Sequence, residues 1–283
     1  MPRVVALVPA AVEILVALGL ADSLVGLCDV PESRSAELGQ VERVTFTNES
    51  QQDLDAAHVR ALAPDLVFAG GPDDPIELRR RFVRGCVADW RPRPAIYAVA
   101  PATVGEMLSA VKTVGDAIGE QARARALIGS LAARIDRVTL RSARAVHRPR
   151  AVCLLEDRRA QAGGGVRMDG QRRGETLTTT IGRWAPELVG LAGGIDPLSS
   201  SGLPPRRCTW EELASARPDY YIVARQAHAD IPSTLRGLPT IEMDDTMLAV
   251  PGPRLVDGLE HLAGMFADYS ARGRGTVAAG TAY

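Results

Sequence analysis

Lysine is nearly missing from this chain. Lys112 stands alone, and arginine supplies the rest of the 33 basic side chains. That shift is read as a compositional bias rather than as chemistry. Set against 34 acidic residues, it leaves a formal net charge of -1. No overall field therefore draws the protein to nucleic acid or to an anionic membrane. Cysteine is scarce and scattered. Cys28, Cys86, Cys153 and Cys208 form no C-x-x-C pair, so buried free thiols are expected and a disulfide framework is not. The four histidines, His58, His147, His228 and His261, have no metal-ligand spacing. There is no G-x-G-x-x-G, P-loop or G-x-S-x-G, and no helical pattern follows Gly163-Gly164-Gly165. No apolar run approaches the roughly 20 residues of a membrane span. The run Val4–Val8 is shorter than a secretory h-region of about 7–15 residues. The sequence as it stands is therefore expected in the cytoplasm; a periplasmic or extracellular place would require an export signal ahead of it.

What is present is a strand-helix alternation. Val4–Val8, Leu24–Leu27, Leu66–Ala69 and Ala95–Val99 read as short buried strands. Val12–Leu20, Asp53–Ala63 and Ile76–Trp90 read as helices between them. Repeated units of this kind predict a parallel sheet covered on both faces. From Val104 to about Ala145 the pattern is helical only, broken at Gly119. It then resumes with strands at Ala151–Leu155, Tyr220–Ala224 and Thr240–Met243, and helices at Trp184–Ala192, Trp210–Ala216 (capped by Thr209) and Leu255–Ser270. Arg158–Arg183 lacks periodicity and reads as a long loop. The expectation is an α/β protein of two doubly wound lobes with mainly parallel sheets: residues 1–115, a linking helix over 116–146, and residues 147–283.

Two echoes support a duplication. Leu62-Ala63-Pro64-Asp65-Leu66 parallels Ala216-Arg217-Pro218-Asp219-Tyr220. Glu13-Ile14-Leu15-Val16-Ala17-Leu18-Gly19 parallels Glu187-Leu188-Val189-Gly190-Leu191-Ala192-Gly193. Both occur in the same order.

Open parallel sheets bind ligands beyond the carboxyl ends of their strands, which here would line a cleft between the lobes. The candidate ligand contacts on those loops are Asp29, Gly71, Glu156, Arg183, Trp184, Arg225, Gln226 and His228. Arginine crowds the loop that holds Arg158, Arg159, Arg167, Arg172, Arg173 and Arg183, which suits an anionic ligand. Trp184 and Trp210 could stack on a flat ligand or serve as core residues. If the protein were a cytosolic enzyme of specialised metabolism, Glu156 would be the acid or base, with Arg183 or Arg225 orienting an anion. No constellation identifies a reaction.

The stretch Leu7-Val8-Pro9-Ala10-Ala11-Val12-Glu13-Ile14-Leu15-Val16-Ala17-Leu18-Gly19-Leu20 resembles the opening of cobalamin-binding proteins of the helical-backbone substrate-binding family, which serve ABC importers for cobalamin, haem and iron-siderophores. Cys28-Asp29-Val30-Pro31, Ala63-Pro64-Asp65-Leu66, Trp184-Ala185-Pro186-Glu187-Leu188-Val189 and Pro251-Gly252-Pro253-Arg254-Leu255-Val256-Asp257-Gly258-Leu259-Glu260 resemble later segments of it. The resemblance implies two lobes, a linking helix, a bulky cleft ligand such as cobalamin or haem and, for an exported member, an ABC permease partner. Glu13 and Glu187 are similar to the glutamates that dock a permease. Three departures stand out. Ala10 and Val12 replace the usual Ser and Thr, the family's Cys-containing loop is missing after Gly71, and an Arg/Gly-rich insertion follows Glu156.

Overall fold

The computed structural model describes residues 1–27, 34, 37–39, 41–44, 55–70, 87, 89–155, 177–224 and 238–272. They fall into two compact units. Unit 1 is Met1–Ala133 with Val250–Arg254, and unit 2 is Arg134–Ala249 with Leu255–Tyr283.

Unit 1 holds five strands: β1 (Val4–Ala6), β2 (Leu24–Leu27), β3 (Glu42–Arg43), β4 (Leu66–Ala69) and β5 (Ala95–Ala98). Their order is β3-β2-β1-β4-β5, and every pairing is parallel. β1 and β4 are wholly buried, which matches their unbroken apolar sequence. Helix α1 (Pro9–Ala17) starts directly after β1, earlier than the expected Val12, because proline is tolerated in a first helical turn. Helix α2 (Ala56–Ala61) is capped by the Asp55 side chain, which accepts from His58 N at 3.0 Å. Helix α3 (Val104–Ile118) is capped by Thr103 and ends at Gly119, whose φ of 84° needs a residue without Cβ. The predicted helix Ile76–Trp90 lies outside the described residues except at 87, 89 and 90.

Helix α4 (Gln121–Ser142) is a single 22-residue element, and the boundary between units falls inside it. Its buried positions form a narrow seam, Ala124, Leu131 and Val138, seven residues apart. A Cβ on Gly115 would come within 2.3 Å of Ala124 Cβ, so glycine there lets α3 and α4 close together.

Unit 2 holds β6 (Ala151–Leu155), β7 (Leu177–Thr180), β8 (Arg207–Thr209), β9 (Tyr220–Ala224) and β10 (Thr240–Met243), in the order β10-β9-β6-β7-β8. β10, β9 and β6 run parallel, whereas β7 is antiparallel to both β6 and β8. Here the structure corrects the reading of Arg158–Arg183 as loop throughout. Its end is a strand, because consecutive β-branched threonines suit a ladder position between two partners. Helices α5 (Ala185–Leu191), α6 (Trp210–Ser215), α7 (Asp245–Leu248) and α8 (Leu255–Arg272) complete the unit. Thr209 and Glu212 form a reciprocal capping box on α6. On α8, Leu255, Val256, Leu259, Leu262, Phe266 and Tyr269 are buried at helical spacing. Tyr220 meets Phe266 and Tyr269 at ring separations of 6.0 and 5.7 Å.

The two echoes are the same structure built twice. In unit 1, Ala63 has φ 43°, Arg3 N donates to Asp65 Oδ2 at 2.8 Å, and the Arg3 Nε donates to Leu62 O at 3.1 Å. In unit 2, Arg217 has φ 44°, Arg150 N donates to Asp219 Oδ2 at 2.8 Å, and Arg150 Nε donates to Ala216 O at 2.9 Å. The glycine ends repeat as well. Leu20 N donates to Leu15 O at 2.9 Å, and Gly194 N donates to Val189 O at 2.8 Å.

Two glycines of α8 should respond in opposite senses. A Cβ on Gly258 would stand 2.2 Å from Met247 O, whereas Gly264 has open space around it. Gly258→Ala is expected to destabilise by about 1–3 kcal/mol, and Gly264→Ala to stabilise by about 0.5–1 kcal/mol. Urea denaturation of both variants checks the pair.

Candidate functional site

All unit 1 strands point the same way, so their carboxyl ends share one edge. β6, β9 and β10 do the same in unit 2. The chain leaves these ends into the residues singled out from sequence. β2 ends two residues before Asp29, and Gly70 after β4 precedes Gly71. Glu156 follows β6 directly, and Arg225, Gln226 and His228 follow β9. These six residues lie outside the described residues.

Arg183 and Trp184 are described, and they are adjacent at the start of α5. Arg183 is buried, with a left-handed φ of 50°. Its N–H donates to Leu203 O at 2.6 Å, and its carbonyl accepts from Gly202 N at 2.9 Å. Gly182 makes that corner possible, since a Cβ there would lie 2.7 Å from Pro204 O. Trp184 is buried too, and its indole Nε1 donates to Leu248 O at 2.7 Å. That bond ties α5 to α7 inside unit 2.

Glu13 and Glu187 occupy matching positions on α1 and α5, in contrasting surroundings. Glu13 is 2% exposed and Arg34 is 5% exposed. Arg34 Nε and Nη2 donate to the two Glu13 oxygens at 2.6 and 2.7 Å, and Glu37 takes Nη1. The Glu13 carboxylate keeps the Arg34 guanidinium above its already high range. Gly252 lies over the pair, where a Cβ would come within 2.5 Å of Glu13 Cβ. Glu187 is half-exposed, and its carboxylate accepts from Ser201 Oγ at 3.4 Å. The Arg34 clamp was not read from the sequence, because nothing in a separation of 21 residues signals a pair.

The sequence pattern of the periplasmic binding protein family matches residues 4–252. The chain belongs to that family. No curated protein matches it in sequence. Among solved structures, the apo haem-binding periplasmic protein of Roseiflexus sp. RS-1 is 21% identical, with a TM-score of 0.70 over 95% of this chain and 99% of that one. The periplasmic vitamin B12 binding protein of Vibrio cholerae is 19% identical, with a TM-score of 0.70 over 96% and 98% of the two chains. A periplasmic haem-binding protein of Pseudomonas aeruginosa is 23% identical, with a TM-score of 0.68 over 94% and 93%. Such identities establish the shared fold.

Within this periplasmic binding protein, the described residues offer little reactive chemistry. No group of three or more His, Cys, Asp and Glu among them could hold a metal. Burial pushes the Cys153 thiol up well above its ordinary range, and the Cys208 thiol up to about 11. Both are therefore protonated at neutral pH and poor nucleophiles. A hollow of ≈ 450 Å³ is lined by Arg150, Ser215, Ala216, Arg217 and Asp219. It lies at the amino ends of β6 and β9, opposite their carboxyl ends, and Arg150 and Asp219 are already engaged with each other. No described helix is long and apolar enough to cross a membrane.

Asp196 is a half-buried carboxyl in unit 2. Burial raises its pKa, opposed by N–H donation from Leu198 at 2.9 Å and Ser199 at 3.0 Å.

Two outcomes follow from these surroundings. Glu13→Ala leaves the buried Arg34 with Glu37 as its remaining partner and is expected to lower unfolding free energy by about 3 kcal/mol; Glu187→Ala, at a half-exposed carboxylate, should lower it by about 1 kcal/mol or less. Equilibrium denaturation distinguishes them. Since the folded pKa of Asp196 is raised, its charge opposes folding at neutral pH, and that opposition fades as pH falls through the folded value. Asp196→Asn keeps an oxygen acceptor and removes the charge. Calorimetry should find its Tm above the parent's at neutral pH, with the gap closing in acid.

Proposed function

We propose that this chain is a substrate-binding protein of the ABC-importer kind, and that it takes a bulky, cobalamin-like, haem-like or siderophore-like molecule on the loops beyond the carboxyl ends of its strands. The family match over residues 4–252 carries the reading. The relatives with this fold bind haem and vitamin B12, and one belongs to an Fe3+-hydroxamate transport system. Asp29, Gly71, Glu156, Arg225, Gln226 and His228 are the ligand contacts in this reading, because each lies within four residues of the carboxyl end of a strand. Arg183 and Trp184, at the start of α5, are the remaining contacts in this reading. An ABC permease is the partner this function requires. Of the two glutamates assigned to permease docking in this reading, Glu187 is half-exposed, while Glu13 is buried against Arg34.

Thermal unfolding with cobalamin, cobinamide, haem and a ferric hydroxamate siderophore tests the proposal. One of them should stabilise the protein by about 2.7 kcal/mol at a hundred times its Kd. Arg225→Ala with Glu156→Gln should weaken that ligand by about tenfold or more, the loss of one or two charged hydrogen bonds. No shift with any of the four ends the reading in this form.

A further inference from the structure

The second half of α4 and the turn after it carry Arg134, Arg137, Arg141, Arg144 and Arg148, at alternating spacings of three and four. At about 3.6 residues per turn, that spacing holds the helical ones to one side. The winding continues past Ser142, with Ala143 N donating to Thr139 O at 2.9 Å and Ala145 N to Ser142 O at 3.0 Å. The two outer arginines are engaged. Arg134 Nε and Nη2 donate to Glu260 at 2.9 and 2.6 Å, and Nη2 also donates to Asp257 at 2.6 Å. Arg148 donates to the carbonyls of Gly193 and Gly194 at 3.3 and 2.7 Å. Between them Arg137, Arg141 and Arg144 are exposed and make no hydrogen bond or ion pair with any described residue. Among the described residues, Glu260 and Asp257 on α8 are acidic groups at this face; both accept from Arg134, and Arg137 and Arg141 act on Glu260 through their charge alone. Asp136 and His261 are exposed nearby in sequence on α4 and α8.

Two large apolar side chains stand among these arginines. Leu140 is 70% exposed and Val146 is 84% exposed. A lipid interface would use both kinds of group, since guanidiniums pair with phosphates while aliphatic side chains enter the acyl boundary. Nucleic acid would use the charge and leave Leu140 and Val146 idle. The formal net charge of -1 conceals the patch, because attraction acts over a screening length of about 8 Å.

We propose that residues 134–148 form a docking surface for an anionic phospholipid bilayer. This goes beyond the ligand reading and does not rest on it, because bare vesicles carry no cargo.

Sedimentation of the full chain with vesicles of phosphatidylcholine alone, and of phosphatidylcholine with phosphatidylglycerol in equal parts, tests it. Binding is expected to the anionic vesicles only, and to weaken as salt rises. The triple variant Arg137→Glu, Arg141→Glu, Arg144→Glu should lose on the order of a hundredfold or more in partitioning, with circular dichroism and Tm unchanged. The double variant Leu140→Ser, Val146→Ser should lose several-fold while keeping the salt dependence. Equal binding to both vesicle types overturns the proposal. So does undiminished binding by the triple variant, or single-stranded RNA that outcompetes anionic vesicles at equal salt.

Discussion

Each sheet of this protein is registered by one clasp. An aspartate at the foot of the strand that pairs with the first accepts the backbone N–H of an arginine just ahead of that first strand. The arginine's guanidinium then reaches the carbonyl that ends the preceding helix. Arg3, Asp65 and Leu62 do this in unit 1; Arg150, Asp219 and Ala216 do it in unit 2. The clasp fixes strand register, closes a helix end and forces the left-handed residue before proline, Ala63 or Arg217. A register slip by one residue would turn every side chain of a wholly buried strand such as β4 or β9 to the opposite face. The remaining architecture depends on this not happening.

Registered strands have aligned carboxyl ends, and that alignment gives each unit the edge on which ligand binding is proposed. The duplication stops at the helices that follow. α1 begins with Pro9 and buries a carboxylate against Arg34, whereas α5 begins behind a glycine corner and leaves its equivalent carboxylate half-exposed. A buried ion pair contributes little net stability but is costly to break. In unit 1 that cost is concentrated at Glu13 and Arg34, under Gly252.

Local signals were legible in the sequence, and paired ones were not. Tyr220–Ala224, Thr240–Met243 and the Thr209 cap could be read because a run of apolar residues or a capping spacing lies within a few positions. The Pro-Asp echoes were legible because the chain repeats them. β7 escaped notice: its four residues lie at the end of a Gly- and Arg-rich stretch, and they become a strand only through β6 and β8. The partners of Glu13 and Trp184 escaped for the same reason. Arg34 and the Leu248 carbonyl are brought to them by tertiary structure, and no spacing rule announces either. Most of the candidate ligand contacts could be named only as residues after strand ends, which is a statement about sheet geometry rather than about side chains.

Charge shows the same limit in another form. A net value near zero describes the sum, while function responds to the local field. α4 could gather arginine on one side because only the seam of Ala124, Leu131 and Val138 is needed for burial. Arginine suits that place better than lysine would. Arg134 spans two carboxylates of α8 with one planar group, which a point-charged ammonium does less well. Arg134 takes the hydrogen bonds of Asp257 and Glu260, while Arg137 and Arg141 act on Glu260 only through their charge. The same contact anchors this half of the helix to α8 and leaves Arg137, Arg141 and Arg144 without a hydrogen bond to any described residue.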